Sequence, residues 1–240
     1  MLKKIIKFFL KLIIVLLTLA IVGAAVVAGW FFYSGYSLYK ETLDNEDLIS
    51  RVTKVEWSED YIPLEYVCDY FQDAIVSLED PKFYDHEGVD LKAIIRAFKK
   101  DIETKEYTQG GSTITQQVAK NLCFSGDKTI NRKIAELLVA RDLEKLYTKD
   151  EILELYVNVI YFGDGYTGIG PASWGYYGIS PADMDFNQST LLAGVPQAPS
   201  RYSLTKHIDK AIQRQKIVVQ AMIDNGVITE EEVAELLSTT

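Results

Sequence analysis

The feature that most constrains this chain is a run of 21 residues without a charge, from Leu12 to Phe32. As a helix that rises about 1.5 Å per residue, such a run spans roughly 30 Å, which matches the hydrocarbon core of a bilayer. Four aromatic residues, Trp30 to Tyr33, stand at its C-terminal end, and aromatic side chains are enriched at the membrane–water interface. The sequence therefore predicts one transmembrane helix over residues 12–33.

Basic residues lie on one side of this segment. Lys3, Lys4, Lys7 and Lys11 all precede it, in a short tail over residues 1–11. By the positive-inside rule the tail stays in the cytoplasm and the rest of the chain is exported. A cleaved signal peptide is the alternative. Its apolar core usually has about 7–15 residues and is followed by a small-residue cleavage site, whereas the uncharged run of this chain has 21 residues. We therefore expect a single-pass protein of the cell membrane with an extracytoplasmic domain.

The exported part has the composition of one globular domain. We divide it into a membrane-proximal connector over residues 34–58 and a single domain over residues 59–240, which is long enough to bury its own core. After residue 40 the chain carries 20 basic and 34 acidic residues. This acidic balance argues against nonspecific binding of nucleic acid, although a local basic cluster for a phosphate remains compatible with it. Cys68 and Cys123 form no CxxC pair, and we interpret them as small buried apolar side chains.

Helical periodicity dominates the exported part, so we predict a mostly α fold. The pattern and its capping residues predict helices over residues 64–78, 91–102, 113–121, 130–147, 148–158 and 208–224, with a short last helix that begins at Thr229. Residues 52–57 favour an extended segment. Two glycine-rich connectors, over residues 109–111 and 163–178, interrupt the helices, and long irregular loops of this kind are often functional.

Three polar clusters are candidates for chemistry, and the first runs from Glu79 to Asp90. Two adjacent acids, Glu79 and Asp80, directly follow an apolar helix. A carboxylate that leaves the apolar end of a helix is partly desolvated, which raises its pKa and its basicity. On spacing alone, a surface turn with ordinary acidic residues fits equally well.

The second cluster runs from Gly110 to Asn121. Its two glycines allow a ligand to approach the backbone closely, and the capped helix that follows offers N–H groups and a positive dipole end to an anion. Polar side chains four residues apart then share a face, in the pairs Gln116 with Lys120 and Gln117 with Asn121. This stripe fits sugar hydroxyls and a phosphate, while an ordinary capped helix with solvated side chains is the alternative.

The third cluster places cations around one acid. Arg132 and Lys133 lie one helical turn before Glu136, and Lys128 lies a further turn earlier. At these spacings three cations and one carboxylate line the same side of a helix. A ladder of surface salt bridges would have the same spacing.

Taken in order, the three clusters closely resemble the peptidoglycan glycosyltransferase family, glycosyltransferase family 51. They read E-D-x-x-F-x-x-H-x-G-x-D, then G-G-S-T-I-T-Q-Q-x-x-K-N, then R-K-x-x-E. The resemblance continues through residues 149–158, 161–163 and 192–203, and departs at Gln188, where the family usually has an acid. It implies a lysozyme-like glycosyltransferase domain with a smaller membrane-proximal lobe, of the monofunctional membrane-anchored type.

The resemblance also implies a reaction. The substrate would be lipid II, a disaccharide-peptide joined by pyrophosphate to a polyprenyl chain, which is polymerised into β-1,4-linked glycan strands. The anomeric carbon would be inverted and polyprenyl pyrophosphate released. The implied partners are lipid II, the growing glycan strand and the lipid bilayer. Transpeptidases and division or elongation proteins are further candidate partners, and no nucleic acid is expected.

Residue roles follow from the matched motifs. Glu79 matches the family's general base, and Glu136 matches its second essential acid, which we interpret as orienting the cations or holding a metal ion. The implied substrate-binding residues are Arg96, Ser112, Thr113, Gln116, Gln117, Lys120, Asn121, Lys128, Arg132 and Lys133. A Mg²⁺ (or Mn²⁺) ion at the pyrophosphate is compatible with this chemistry. We expect no organic cofactor, and the sequence offers no dedicated set of metal ligands.

Two other functions remain open at this level. A glycan-cleaving enzyme with a lysozyme-like fold would also place a key glutamate after a helix, but it has little need for a cationic pyrophosphate site. A catalytically inactive scaffold for cell-wall synthesis would have no reason to combine Glu79 with Glu136 and the cations.

Overall fold

The computed structural model describes residues 2–89, 111–126 and 129–238. Regular structure in these ranges is helical, and the β pairing that occurs there is one isolated antiparallel bridge between Tyr161 and Thr167. The prediction of a mostly α fold is therefore confirmed.

Ten α-helices make up the described part of the chain. They are α1 (Leu2–Asn45), α2 (Leu48–Glu56), α3 (Asp69–Glu79), α4 (Ile114–Cys123), α5 (Ile130–Leu146), α6 (Lys149–Val159), α7 (Ile169–Tyr177), α8 (Phe186–Ala193), α9 (Ile208–Asp224) and α10 (Glu230–Ser238). Short 3₁₀ turns occur at Leu64–Tyr66, Phe83–Asp85 and Pro181–Asp183.

The first helix is longer than the apolar run that predicted it. It continues without a break for 44 residues and is long and apolar enough to cross a membrane. Every described side chain from Lys3 to Trp30 is exposed. Beyond the apolar run α1 packs along α5, so the first part of the predicted connector over residues 34–58 is a continuation of the anchor helix.

The remaining helices form two packed groups that share one apolar core. In the first group α5 packs on α1 and α4, and α4 packs on α6; in the second, α3 packs on α8 and α9. Fully buried side chains from both groups meet in this core, among them Phe71 of α3, Ile114 of α4 and Leu143 of α5. The end of α3 lies against the beginning of α4, which places the first two polar clusters next to each other.

Predicted helix starts are confirmed by the hydrogen bonds of their caps. The capping boxes that begin at Thr148 and Thr229 are reciprocal, with side chain and backbone bonded in both directions. The Thr113 hydroxyl accepts a hydrogen bond from the Gln116 N–H at 3.2 Å. The Gln116 side-chain amide donates instead to the carbonyl oxygen of Gly88, so at this helix start only the bond to the Thr113 hydroxyl of the capping box is formed.

The predicted extended segment over residues 52–57 is wrong, because most of it belongs to α2. Asp47 caps this helix by accepting a hydrogen bond from the Ser50 N–H at 2.9 Å. Leu48 and Val52, one turn apart, are buried on its inner face. The cap and the burial of one face outweigh the weak helix propensity of the β-branched residues.

The prediction of one helix over residues 64–78 is also wrong. The chain makes a short 3₁₀ turn, becomes extended at Val67 and Cys68, and enters α3 only at Asp69. The backbone N–H of Cys68 donates to the carbonyl oxygen of Pro181 at 3.1 Å, which stabilises the break. The helix predicted over residues 91–102 lies outside the described residues.

Both cysteines are free thiols that pack against the core, in agreement with their interpretation as apolar side chains. Burial raises the pKa of the Cys123 thiol to about 11, so this thiol is unreactive at neutral pH.

Arg51 of α2 joins three helices. Its guanidinium donates to the carbonyl oxygens of Thr42 and Glu46, at the C-terminal end of α1, at 3.1 and 3.0 Å. A third hydrogen bond of 3.1 Å reaches the carbonyl oxygen of Leu122 in α4. Carbonyl groups near the end of a helix have few partners within that helix, and here Thr42 accepts one further bond, from the Glu46 N–H at 3.3 Å. The Arg51 side chain therefore caps the ends of α1 and α4 together.

We expect Arg51→Ala to lower the free energy of unfolding by about 2–3 kcal/mol, because it leaves partly buried carbonyl groups without their charged donor. Chemical unfolding in detergent measures this change. Arg141→Ala, which removes an exposed arginine of α5, is the matched control. Equal losses in the two variants would contradict the role given to Arg51.

Candidate active site

Glu79 is the last residue of α3 and lies where the two helix groups meet. Its Oε2 accepts a hydrogen bond of 2.7 Å from the side-chain amide of Gln117 in α4. Burial raises the pKa of Glu79, while the Gln117 amide and the nearby positive charge of Arg214 act in the opposite direction. The result is an oriented carboxyl group with a raised pKa, as expected from its place at an apolar helix end, and these are the properties of a general base.

Asp80, the adjacent acid, makes contacts that stabilise the fold. It is buried, and its carboxylate lies 2.9 Å from the Nε2 of His86. It also accepts a hydrogen bond of 3.1 Å from the backbone N–H of Ile114, in the first turn of α4. Asp80 therefore holds the first cluster against the N-terminus of α4, and this leaves Glu79 as the acid available for chemistry.

Thr113 and Gln116 brace the same junction from the other side. The Thr113 hydroxyl and the Gln116 side-chain amide donate to the carbonyl oxygen of Gly88, at 2.8 and 3.3 Å. Gly88 has φ +77°, and a Cβ there would lie 3.2 Å from the carbonyl oxygen of Ala140, so glycine is required. Both predicted substrate-binding residues are buried in the protein and shape the site through these bonds.

The third cluster is assembled around a buried acid. Glu136 is 3% exposed and forms salt bridges with Arg132 at 2.9 Å and with Lys133 at 3.3 Å. Lys133 Nζ also donates to the Ser112 hydroxyl at 2.7 Å. Burial lowers the pKa of Lys133, and the charge of Glu136 opposes this shift. The structure thus brings Ser112 together with Arg132, Lys133 and Glu136, and holds the two cations in a fixed arrangement.

Lys120 is a cation that is coupled to both the base candidate and the cation cluster. Its side chain is exposed on α4. Its positive charge acts to lower both the pKa of Glu79 and the pKa of Lys133, so it is electrostatically coupled to both sites. The carboxyl group, through its bond to Gln117, and the cations on α5 therefore flank the same helix, α4.

One described residue of the predicted set, Asn121, lies apart from this arrangement. Asn121 lines a cavity of about 490 Å³ beside α2 and α6, together with Arg51 and Tyr61. Arg96 and Lys128 lie outside the described residues.

Arg214 of α9 is a residue that the sequence reasoning missed. It is 8% exposed, and its charge helps to hold down the pKa of Glu79. Its guanidinium lies 6.0 Å from the centre of the Tyr202 ring, and burial lowers its pKa. The sequence signal for Arg214 was its position in the helix. Ala211 lies three residues before it and Val218 four residues after it, so all three share the buried face of this amphipathic helix.

The described residues contain no cluster of three His, Cys, Asp or Glu side chains that would suit a metal ion. Glu136, the buried acid of the cation cluster, is engaged by Arg132 and Lys133. The side chains in this part of the chain therefore do not form a metal cage.

Comparison with known proteins places the chain in a family. The transglycosylase family profile matches residues 45–223. A protein of Cupriavidus necator that is described as a transglycosylase is 36% identical over 219 residues, which are 90% of each of the two chains.

Larger proteins match the same region. Penicillin-binding protein 1F of Bacillus subtilis is 42% identical over 161 residues, which are 67% of this chain. Penicillin-binding protein 1A of Escherichia coli is 40% identical over 173 residues, which are 72% of this chain. The matched regions are 22% and 20% of the lengths of these two relatives.

The raised pKa of Glu79 gives a stability prediction. The folded protein holds the Glu79 proton more tightly than the unfolded chain, so this group's contribution to stability is full below the unfolded pKa of about 4.3. That contribution is lost as the pH rises through the raised folded pKa. At neutral pH we expect Glu79→Gln to be more stable than the natural protein by about 1–3 kcal/mol, because it removes a desolvated charge.

Chemical unfolding between pH 4 and pH 8 measures this difference, which should shrink toward the acid end. Glu87→Gln, at an exposed carboxyl group of the same cluster, is the matched control for the loss of one carboxyl group. A Glu79→Gln protein that is less stable at neutral pH would contradict the environment assigned to Glu79.

Proposed function

The chain belongs to the transglycosylase family of peptidoglycan glycosyltransferases, and on this basis we propose that it polymerises lipid II. The products would be β-1,4-linked glycan strands and polyprenyl pyrophosphate, with inversion at the anomeric carbon. One observation carries the proposal: a carboxyl group with a raised pKa is hydrogen-bonded to α4, and the helix packed against α4 carries a fixed cluster of cations. Glycosyl transfer from a pyrophosphate needs both a base and a sink for negative charge.

Glu79 would be the base. Its ionised carboxylate accepts the proton of the acceptor's 4-hydroxyl as that oxygen bonds to the anomeric carbon of the growing strand. The bond between this carbon and the pyrophosphate oxygen breaks in the same displacement, and the electron pair leaves with the pyrophosphate. The hydrogen bond from Gln117 at 2.7 Å orients the carboxylate. Such base assistance is typically worth about 10²–10⁴-fold in rate.

Lys120, Arg132 and Lys133 would stabilise the departing pyrophosphate. Positive charges fixed in advance stabilise developing negative charge without reorganisation during the reaction. Lys133 meets this requirement because Ser112 and Glu136 hold its amine from two sides. We therefore assign Glu136 the role of orienting the cations, in preference to a second acid–base role.

A divalent ion, Mg²⁺ or Mn²⁺, would have to be held largely by the oxygens of the pyrophosphate, with Glu136 as the one buried carboxylate of the cation cluster. Because Arg132 and Lys133 already engage Glu136, the residues described do not fit a resident metal site. Every step proposed above is carried by side chains of the chain itself.

The long apolar helix suits a substrate whose polyprenyl chain stays in the bilayer. We propose that α1 anchors the protein in the cell membrane, with the lysine-rich N-terminus in the cytoplasm and the helical domain outside. The proposed partners are lipid II, the growing strand and the bilayer, and transpeptidases and division or elongation proteins remain candidates.

Polymerisation of labelled lipid II in detergent tests the proposed function. We expect the natural protein to produce lysozyme-sensitive glycan, and Glu79→Gln to be slower by about 10²–10⁴-fold, because the base is removed. Glu87→Gln should retain the natural rate. Substrate binding without polymer formation by the natural protein would favour a scaffold, and hydrolysis of preformed strands would favour a glycan-cleaving enzyme.

The role of Arg214 is tested by the pH dependence of the reaction. The rate should fall toward low pH as Glu79 becomes protonated. Because the charge of Arg214 lowers the pKa of Glu79, Arg214→Gln should move this fall to higher pH. The matched control is Arg201→Gln, which removes an exposed guanidinium 5.6 Å from the same Tyr202 ring. An unchanged pH profile in a folded Arg214→Gln protein would remove Arg214 from the mechanism.

A further inference from the structure

The anchor helix has a buried face that starts at the aromatic end of the apolar run. From residue 31 onward its less exposed positions are 31, 34, 35, 38, 39, 42 and 43, while the positions between them are exposed. This is the spacing of one helix face. The face packs along α5, the helix that carries Arg132, Lys133 and Glu136.

The contact between α1 and α5 is close and specific. At Gly35 an added Cβ would lie 2.6 Å from the Cβ of Ile134 and 2.9 Å from the carbonyl oxygen of Asn131, so only glycine permits this approach. One residue earlier, the Ser34 hydroxyl accepts a hydrogen bond of 2.9 Å from the Asn131 side-chain amide. These contacts fix the register of the two helices.

The two helices run in the same direction. Ser34 contacts Asn131, near the beginning of α5, and Tyr39 donates a hydrogen bond to Asp142, near its end. The Arg51 guanidinium then joins the last turn of α1 to α4. Over its C-terminal part the anchor helix is therefore attached to both helices that carry the proposed pyrophosphate-binding cations.

This packing relates the cations to the aromatic end of the apolar run. Asn131 lies beside Ser34, the residue that follows the interfacial aromatic group, and Arg132 and Lys133 come next. Glu136 is five residues beyond Asn131, or about 7.5 Å along the helix. The headgroup layer on each side of a bilayer is about 5–8 Å thick. Ile130, which begins α5, is 58% exposed, as suits the apolar edge of that layer.

We infer that Ser34, Gly35 and Asn131 are positioning residues, which lock α5 to the membrane helix and so hold the cations at the level of the lipid headgroups. The anchor then acts as a rigid strut instead of a flexible tether. This inference rests on the proposed function and on the proposed orientation of α1. A lipid-linked pyrophosphate is confined to that same level, so the height of the cations controls whether they reach it.

Two glycines of the same helix provide the test. Gly35→Leu inserts a side chain into the contact with α5, whereas Gly29→Leu inserts it where no atom lies within 4 Å. For lipid II in vesicles we expect Gly35→Leu to raise KM and to lower kcat/KM by up to about 10²-fold, since small misplacements have effects of this size. Gly29→Leu should match the natural protein.

Rates in detergent micelles distinguish a positioning role from a merely structural one, because a folding defect would lower the rate in micelles and in vesicles alike. In micelles the substrate is not confined to a fixed level, so Gly35→Leu should recover most of the natural rate. Equal losses in vesicles and micelles would overturn the inference, as would a natural rate in both.

A flexible Gly-Ser insertion between Tyr33 and Ser34 tests the strut and leaves the contacts of Ser34 and Gly35 with α5 in place, so it remains informative if Gly35→Leu does not fold. Polymerisation should fall in vesicles and persist in micelles. A natural rate in vesicles would show that α1 is only a tether and would overturn the inference. Failure of the natural protein to polymerise lipid II in micelles would instead overturn the proposed function.

Discussion

The carboxylate of Asp80 connects the parts of the protein on which the site depends. By accepting the N–H of Ile114 it satisfies one of the open donors at the start of α4, and its contact with His86 closes the turn that follows α3. A buried carboxylate needs such partners, because an unpaired buried charge is strongly destabilising. The same bonds bring Gln117 within 2.7 Å of Glu79. Of the two adjacent acids, Asp80 thus holds the junction together, and Glu79 is left for the proposed role of base.

The helices and polar clusters followed from sequence where the signal was local. Capping at Thr148 and the spacing of Arg132, Lys133 and Glu136 are encoded within a few residues. The order of the motifs then identified the family without knowledge of the fold. Gln188, where the sequence departs from the family, also has a local role, because its side chain completes the capping box that begins α8.

Features that depend on tertiary contacts were not predicted from the sequence. The break before α3 requires the carbonyl group of Pro181, which lies far along the chain. Arg214 gains its role from burial near Glu79, and one arginine in an amphipathic helix gives little sign of this. The helical continuation of α1 was missed because residues 34–45 mix polar and apolar residues, and the face that they bury is formed only when α5 is present.

The continuous packing of α1 on α5 also determines where the membrane part of this protein ends. Cutting the chain at the end of the apolar run would leave residues 34–45 in place to cover α5. Removing all of α1 would instead expose the surface of α5 around Ile134 to water, and a newly exposed apolar strip promotes aggregation. A water-soluble form of the domain therefore has to retain about three turns of its own anchor. Those turns belong to the fold, although they are covalently part of the membrane helix.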